Sequence, residues 1–157
     1  MKKIPSFTIN HLTLLPGLYV SRKDFLECEV LTTFDIRLTA PNREPVLNTG
    51  AIHAIEHLGA TYLRNNNEWK DKVIYFGPMG CRTGFYLILV GNLESKNIIP
   101  LMRDLFAFIR EYDEDIPGTS AEACGNYGDM DLNSAKTYAD KYYNDVLNNI
   151  DKSRLNY

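Results

Sequence analysis

His53 and His57 stand four residues apart, with Glu56 directly before the second histidine. On a helix that advances about 100° per residue, the two imidazoles leave the surface about 40° apart, and Glu56 lies about 60° to the other side of His53. One helical face thus presents two imidazoles and a carboxylate. Ile52, Ile55, Gly59 and Tyr62 occupy a different face. Such a helix must bury its apolar side and find partners for the polar one, because a buried polar group without a partner costs about 1–3 kcal/mol.

Two imidazoles one turn apart can close on a single cation, and a carboxylate beside them can move protons at that cation. The spacing H-x-x-E-H is that of the inverted zincins. A helix carrying two histidines by chance is the bland alternative. The chain has three histidines in all, however, and two of them fall at metal-binding spacing with an acid in the expected slot. The motif is read as a metal site.

The rest of the sequence bounds the class of protein. A length of 157 residues implies one domain over residues 1–157, with ordinary apolar content and a sizeable core. The formal net charge is −3 and no basic tract appears, which excludes a nucleic-acid partner as an expectation. No run approaches the roughly 18 apolar residues of a membrane span. Lys2 and Lys3 precede no apolar segment, so a secretory signal is not expected. The three cysteines, Cys28, Cys81 and Cys124, are sparse and odd in number, which argues for free thiols in a reducing cytoplasm.

Residues 4–20 are broken by Pro5 and Pro16-Gly17. Residues 18–21 and 26–39 read as strands. In the second, Phe34 and Ile36 alternate with Asp35 and Arg37, the pattern of a half-buried antiparallel strand, with Arg37 on the polar side. Cys28 falls within this strand and reads as structural. Asn48 or Thr49 can cap the helix that carries the histidines, which ends at Asn65-Asn66-Asn67. Residues 73–76 and 84–90 form two more strands around the tight turn Gly77-Pro78-Met79-Gly80-Cys81. Ser95 can cap a helix running through Tyr112, and Asp131 a last one with Leu132, Ala135, Tyr138, Ala139, Tyr142, Val146 and Ile150 on its apolar stripe. The expected fold is α+β, a two-layer sandwich with helices packed on one face of an antiparallel sheet.

A catalytic metal usually takes three protein ligands and keeps one position open. Beyond His53 and His57, Cys124 in Glu122-Ala123-Cys124-Gly125-Asn126 is the favoured third ligand, with Glu122 as rival and a small buried thiol as the bland reading. Cys81 follows a glycine-bearing turn and precedes Arg82, whose charge can favour the thiolate. It can be a nucleophile, a general base or an inert core residue. Two histidines and a cysteine on one metal, with an adjacent glutamate and a separate thiol, make a poor peptidase. They suit proton transfer beside a carbonyl.

On these residues the chain resembles the S-ribosylhomocysteine lyase (LuxS) family, nearly end to end. The resemblance runs through Pro5-Ser6-Phe7 with His11, Phe34-Asp35-Ile36-Arg37 with Pro41-Asn42, and His53-x-x-Glu56-His57-Leu58. It continues through Pro78-Met79-Gly80-Cys81-Arg82-Thr83-Gly84-Phe85-Tyr86 and Cys124-Gly125-Asn126-Tyr127. Two departures stand out: Asn10 where many members carry Asp, and Tyr75-Phe76-Gly77 where many carry Asp-Ile-Ser.

The resemblance implies that His53, His57 and Cys124 hold one divalent ion per chain, iron(II), which zinc or cobalt can replace. It implies that Glu56 and Cys81 act as acid–base groups and that Ser6, His11 and Arg37 bind substrate. It further implies a homodimer with active sites at the subunit interface, acting on S-ribosylhomocysteine to give homocysteine and 4,5-dihydroxypentane-2,3-dione, the autoinducer-2 precursor. Two other classes remain open. A hydrolase of the inverted zincin type would use Glu56 to activate water and would not need Cys81. A structural metal module would need a fourth protein ligand such as Glu122.

Overall fold

The structure is a computed structural model and describes residues 7–157. Among these residues, strands β1 (Gly17–Phe25), β2 (Val30–Arg37), β3 (Val73–Pro78) and β4 (Gly84–Val90) form one four-stranded sheet in the order β1-β2-β4-β3. Every neighbouring pair is antiparallel. Helices α1 (Thr49–Asn65), α2 (Ile99–Glu111) and α3 (Leu132–Tyr142) pack on one face, giving the expected α+β sandwich. No helix among the described residues is long and apolar enough to cross a membrane.

Register explains which side chains meet the helices. Leu18 pairs with Ile36, Ile36 with Phe85, and both Phe34 and Phe76 with Leu87. These side chains point to the helical face and are buried, against Ile55 and Leu58 of α1, Met102, Leu105 and Phe106 of α2, and Ala135 and Ala139 of α3. Each large apolar side chain taken from water there contributes roughly 1.5–3 kcal/mol. Helix α1 comes unusually close to β3 because Gly59 has no side chain; a Cβ at that position would sit 2.3 Å from the Phe76 ring.

The opposite face carries a second row, in which Tyr19 pairs with Asp35 and Asp35 with Tyr86. Residues 151–157 reach back over part of it, and Tyr157 stacks on Tyr19 with ring centroids 4.8 Å apart and planes 11° from parallel. The row is therefore not the solvated strand face that alternation alone implies.

The helix ends follow local chemistry. Asn48 accepts a hydrogen bond from the Ala51 amide at 2.6 Å and caps α1. Asp131 caps α3 by accepting from the Ser134 amide at 2.9 Å. Two expectations are corrected. Ser95 is not a cap: Glu94 and Asn97 form a capping box on the short 3-10 turn Ser95–Ile98 that leads into α2, while the Ser95 hydroxyl accepts from the Val20 amide at 3.1 Å and donates to the Leu155 carbonyl at 2.9 Å. The strand expected over 26–39 is interrupted at its start. Residues 26–29 turn the β1–β2 hairpin, closed by Leu26 N–H donating to the Glu29 carbonyl at 2.8 Å, and Cys28 is exposed in that turn. Leu-Glu-Cys-Glu contains no Gly, Pro or Asn to announce it.

Candidate active site

His53 and His57 leave α1 on its half-exposed side, beneath the loop that joins α2 to α3. The loop brings Cys124 to them. The ligand atoms of His53, His57 and Cys124 all lie within 4.8 Å of one another, and Cys124 Sγ is 3.4 Å from His53 Nε2. Glu122, the rival for the third position, is exposed and lies outside this group.

The same loop orients both rings. His53 Nδ1 is 3.0 Å from the Asp129 carbonyl oxygen, and His57 Nδ1 is 2.7 Å from that of Pro117. A carbonyl only accepts, so each Nδ1 carries the proton and donates, and each Nε2 is left with a free lone pair. That is the tautomer a metal requires, held by the outer hydrogen bond that ligating histidines usually make. The Asn126 amide donates toward Cys124 Sγ at 3.4 Å. Gly118 makes the Pro117 contact possible: its φ is +77°, and a Cβ there would sit 3.2 Å from His57 Nδ1. The donor set of two imidazoles and a thiolate, oriented and half-buried, fits a divalent transition metal. Glu56 is half-buried one position before His57.

Cys81 belongs to a different cluster. It sits in the tight turn between β3 and β4, where Met79 N–H donates to the Gly84 carbonyl and Arg82 adopts φ +58°. Cys81 Sγ is 3.0 Å from Thr83 Oγ1 and 3.8 Å from Arg37 Nη1, and the same guanidinium nitrogen donates to Thr83 Oγ1 at 2.6 Å. Arg37 is 3 % exposed and forks onto Asp35, which is 1 % exposed, with Nε donating to Oδ1 at 3.0 Å and Nη2 to Oδ2. Desolvation alone pushes the Cys81 thiol up; the Thr83 hydrogen bonds and the Arg37 charge outweigh it, and the net shift is downward. The cation expected beside the thiol was Arg82. The cation found there is Arg37, which reaches it from the neighbouring strand.

His11 has its Nδ1 2.9 Å from the Ile9 carbonyl oxygen and stands near Asp35. Arg37 thus joins Cys81 and Thr83 to Asp35, with His11 near Asp35, while His53, His57 and Cys124 gather under the α2–α3 loop. Ser6, expected to bind substrate, lies outside the described residues. Three participants escaped the sequence reading. Asp35 and Thr83 each stand two positions from a chosen residue, on the same side of a strand or turn, and that spacing was the available signal. Tyr157, whose hydroxyl donates to Asp35 Oδ2 at 2.8 Å, left none.

Comparison with known proteins gives this arrangement a context. The family S-Ribosylhomocysteinase (LuxS) matches over residues 4–153. An S-ribosylhomocysteine lyase of Finegoldia magna is 65 % identical over 157 residues, covering 100 % of this chain and 99 % of that protein. Proteins of the same name from Clostridium beijerinckii and Borrelia garinii are 60 % and 57 % identical, with the same coverage.

Proposed function

The chain belongs to the S-ribosylhomocysteinase (LuxS) family, and we propose that it is the lyase that cleaves S-ribosylhomocysteine to homocysteine and 4,5-dihydroxypentane-2,3-dione. The observation that carries this reading is the oriented triad of His53, His57 and Cys124 in a chain that also presents an activated thiol, Cys81. A hydrolase of the inverted zincin type has no use for the second cluster.

His53 Nε2, His57 Nε2 and Cys124 Sγ would hold the ion. When bound, it supplies a Lewis acid that polarises a sugar carbonyl and stabilises the adjacent enolate. The proton transfers fall to Glu56 and Cys81. One of them removes the C2 proton of the open-chain aldose, and return of a proton to C1 leaves the carbonyl at C2. A second exchange, from C3 to C2, moves the carbonyl to C3. Removal of the C4 proton then drives out the sulfur at C5 as homocysteine thiolate, and the enol left behind tautomerises to the dione. Electrons and atoms balance without an external oxidant, so the protein must supply only acids, bases and charge stabilisation. A thiol held below its ordinary range is suited to alternate between thiol and thiolate near neutral pH. Arg37 lies beside it, and Arg37 and His11 are assigned to the substrate, together with Ser6.

Cys81 with Arg37 and His11 on one side of the chain, and the triad on the other side of the sheet, are best served by a homodimer. The second face of one copy would then meet the triad of its partner. Exposed Ile74 and Tyr75 provide apolar surface for such a contact. We assign iron(II) as the working ion, with zinc or cobalt as substitutes, because imidazole and thiolate donors accept all three. Two functional thiols, both free, suit a reducing cytoplasm. The dione is the precursor of the autoinducer-2 signal, so the product would serve quorum sensing as well as return homocysteine to the methyl cycle.

The test is incubation of the iron-loaded protein with S-ribosylhomocysteine without oxygen, reading release of free thiol and of the dione. Release of both in equal amounts is expected. A loaded, folded protein that releases neither would overturn the reading.

A further inference from the structure

The Arg37–Asp35 pair that adjoins Cys81 is itself closed by a residue far along the chain. Tyr157 donates from its hydroxyl to Asp35 Oδ2 at 2.8 Å, and its ring lies flat on Tyr19. The segment that carries it is pinned at several points. Arg154 Nη1 donates to the Pro16 carbonyl at 2.8 Å, the Ser95 hydroxyl donates to the Leu155 carbonyl at 2.9 Å, and Asp151 caps the turn Lys152–Arg154. With the Tyr157–Asp35 bond, the segment is fastened at three places outside itself, to Pro16, Ser95 and Asp35.

We infer that Tyr157 is a positioning residue for the Cys81 thiolate, acting through Asp35 and Arg37. The route is short and continuous: Tyr157 hydroxyl to Asp35 Oδ2, Asp35 to the Arg37 fork, and Arg37 Nη1 to Thr83 Oγ1 and Cys81 Sγ. Each link has a physical consequence. The phenolic proton offsets part of the Asp35 charge, so Arg37 presents more net positive potential to the sulfur. The hydroxyl also fixes the carboxylate plane and with it the direction of the fork. The ring, stacked on Tyr19, keeps water from the pair and so keeps its field strong at Cys81.

The other ionisable neighbours do not compete. Burial raises the phenols of Tyr19, to about 12, and of Tyr86 and Tyr157, so all three stay neutral and protonated near pH 7. Burial pushes the Asp35 carboxyl up, and the Arg37 charge and hydrogen bonds, with the Tyr157 hydroxyl, pull against it. The Ser21 hydroxyl on β1 also meets the Tyr157 phenol, and the hydrogen bonds shown to Asp35 come from Arg37 and Tyr157.

The inference rests on Cys81 being the acid–base group, but its test does not require turnover. The full-length, metal-loaded protein and its Tyr157→Phe and Tyr157→Ala variants are alkylated with iodoacetamide across pH, and modification of Cys81 is followed by peptide mass mapping, which separates it from Cys28. Tyr157→Phe keeps the stack and loses the donor; Tyr157→Ala loses both. The midpoint for Cys81 is expected to rise in both variants and more in the second. A rise of about half a pH unit lowers the thiolate fraction roughly threefold at pH values well below the midpoint. A residue that only stabilises the fold would lower the melting temperature and leave the midpoint in place. If Tyr157→Ala fails to fold, the Phe variant decides. An unmoved midpoint in every folded variant overturns the inference, whether or not the protein proves to be a lyase.

Discussion

Cys124 Sγ lies 3.4 Å from His53 Nε2 although the two residues are separated by most of α1, two strands, α2 and a loop. The approach is set by backbone. The carbonyls of Asp129 and Pro117, on either side of Cys124 in the chain, accept from the Nδ1 atoms of His53 and His57 and hold the loop against the helix. The sulfur is delivered between these two attachments.

Removal of the sulfur tests this arrangement directly. Cys124→Ala should leave both histidine rings in place, because their outer hydrogen bonds go to backbone atoms. The site then has two ligands instead of three, and metal affinity should fall by about a hundredfold or more. Metal content after dialysis gives the answer. Stoichiometric retention, with an unchanged cobalt spectrum, would remove Cys124 from the ligand set.

Glu56 faces the opposite expectation. It stands next to His57 along the helix and outside the ligand group. Glu56→Gln should therefore keep the metal and lose turnover by about 10²–10⁴-fold, the usual contribution of a positioned acid or base. Loss of metal in this variant would make Glu56 a ligand and leave the proton transfers without one of their two groups.

Helix α1, its Asn48 cap and its paired histidines were legible because all of them are local: spacing, cap and apolar stripe lie within one segment. The Cys81 turn was legible for the same reason. Legibility ended where a partner came from another strand or from the far end of the chain. Arg37 sits on the polar side of β2, and alternation assigns it to solvent; it is buried because Asp35 neutralises it and Tyr157 covers the pair. The sequence points to the adjacent Arg82 as the charge beside Cys81, whereas the structure supplies it from Arg37 on the neighbouring strand. The turn at residues 26–29 was hidden by side chains with strand-like alternation. The carbonyls that orient the histidines have no side-chain identity to read.

A shared site can be tested by mixing. In the proposed dimer, one copy offers the triad and the other offers Cys81. Cys81→Ala and Cys124→Ala should each be inactive alone, and heterodimers formed by co-expression should recover one intact site. If the triad and the thiol of one chain served together, each chain of the mixed dimer would still lack one group, and no activity would return.

Two glycines of the α2–α3 loop should respond differently to the same change. Gly118 has φ +77°, and an added Cβ would sit 3.2 Å from His57 Nδ1, whereas a Cβ on Gly125 meets nothing within 4 Å. Gly118→Ala should cost about 1–2 kcal/mol from the left-handed backbone alone and should loosen the Pro117–His57 bond, lowering both melting temperature and metal affinity. Gly125→Ala should be near neutral in both. Equal behaviour of the two variants in melting and metal titration would show that the Pro117 contact does not orient His57.

The last prediction concerns how the Cys81 thiolate is maintained. Thr83 Oγ1 is 3.0 Å from Cys81 Sγ and accepts from Arg37 Nη1 at 2.6 Å, so one hydroxyl bridges the thiol and its cation. Thr83→Val keeps the shape and removes the bridge. The thiol should lose both the hydrogen bond and the alignment of the guanidinium, and its midpoint should rise from below the reference value of about 8.5 toward it. The sign of the accompanying stability change follows from proton binding. The folded thiol is depressed, so between its midpoint and the ordinary thiol value the unfolded chain holds more protons than the folded one. Stability from this group therefore grows as pH rises through that window, is fully present above the unfolded value, and is lost as pH falls through the folded midpoint. In Thr83→Val the window should narrow, and the acid limb of kcat/KM should move to higher pH by the same amount as the alkylation midpoint. Cys81→Ala should abolish both the window and homocysteine release while metal content stays full. If Thr83→Val moves the rate profile without moving the alkylation midpoint, the titrating base is not Cys81, and the proton transfers must be reassigned to Glu56 alone.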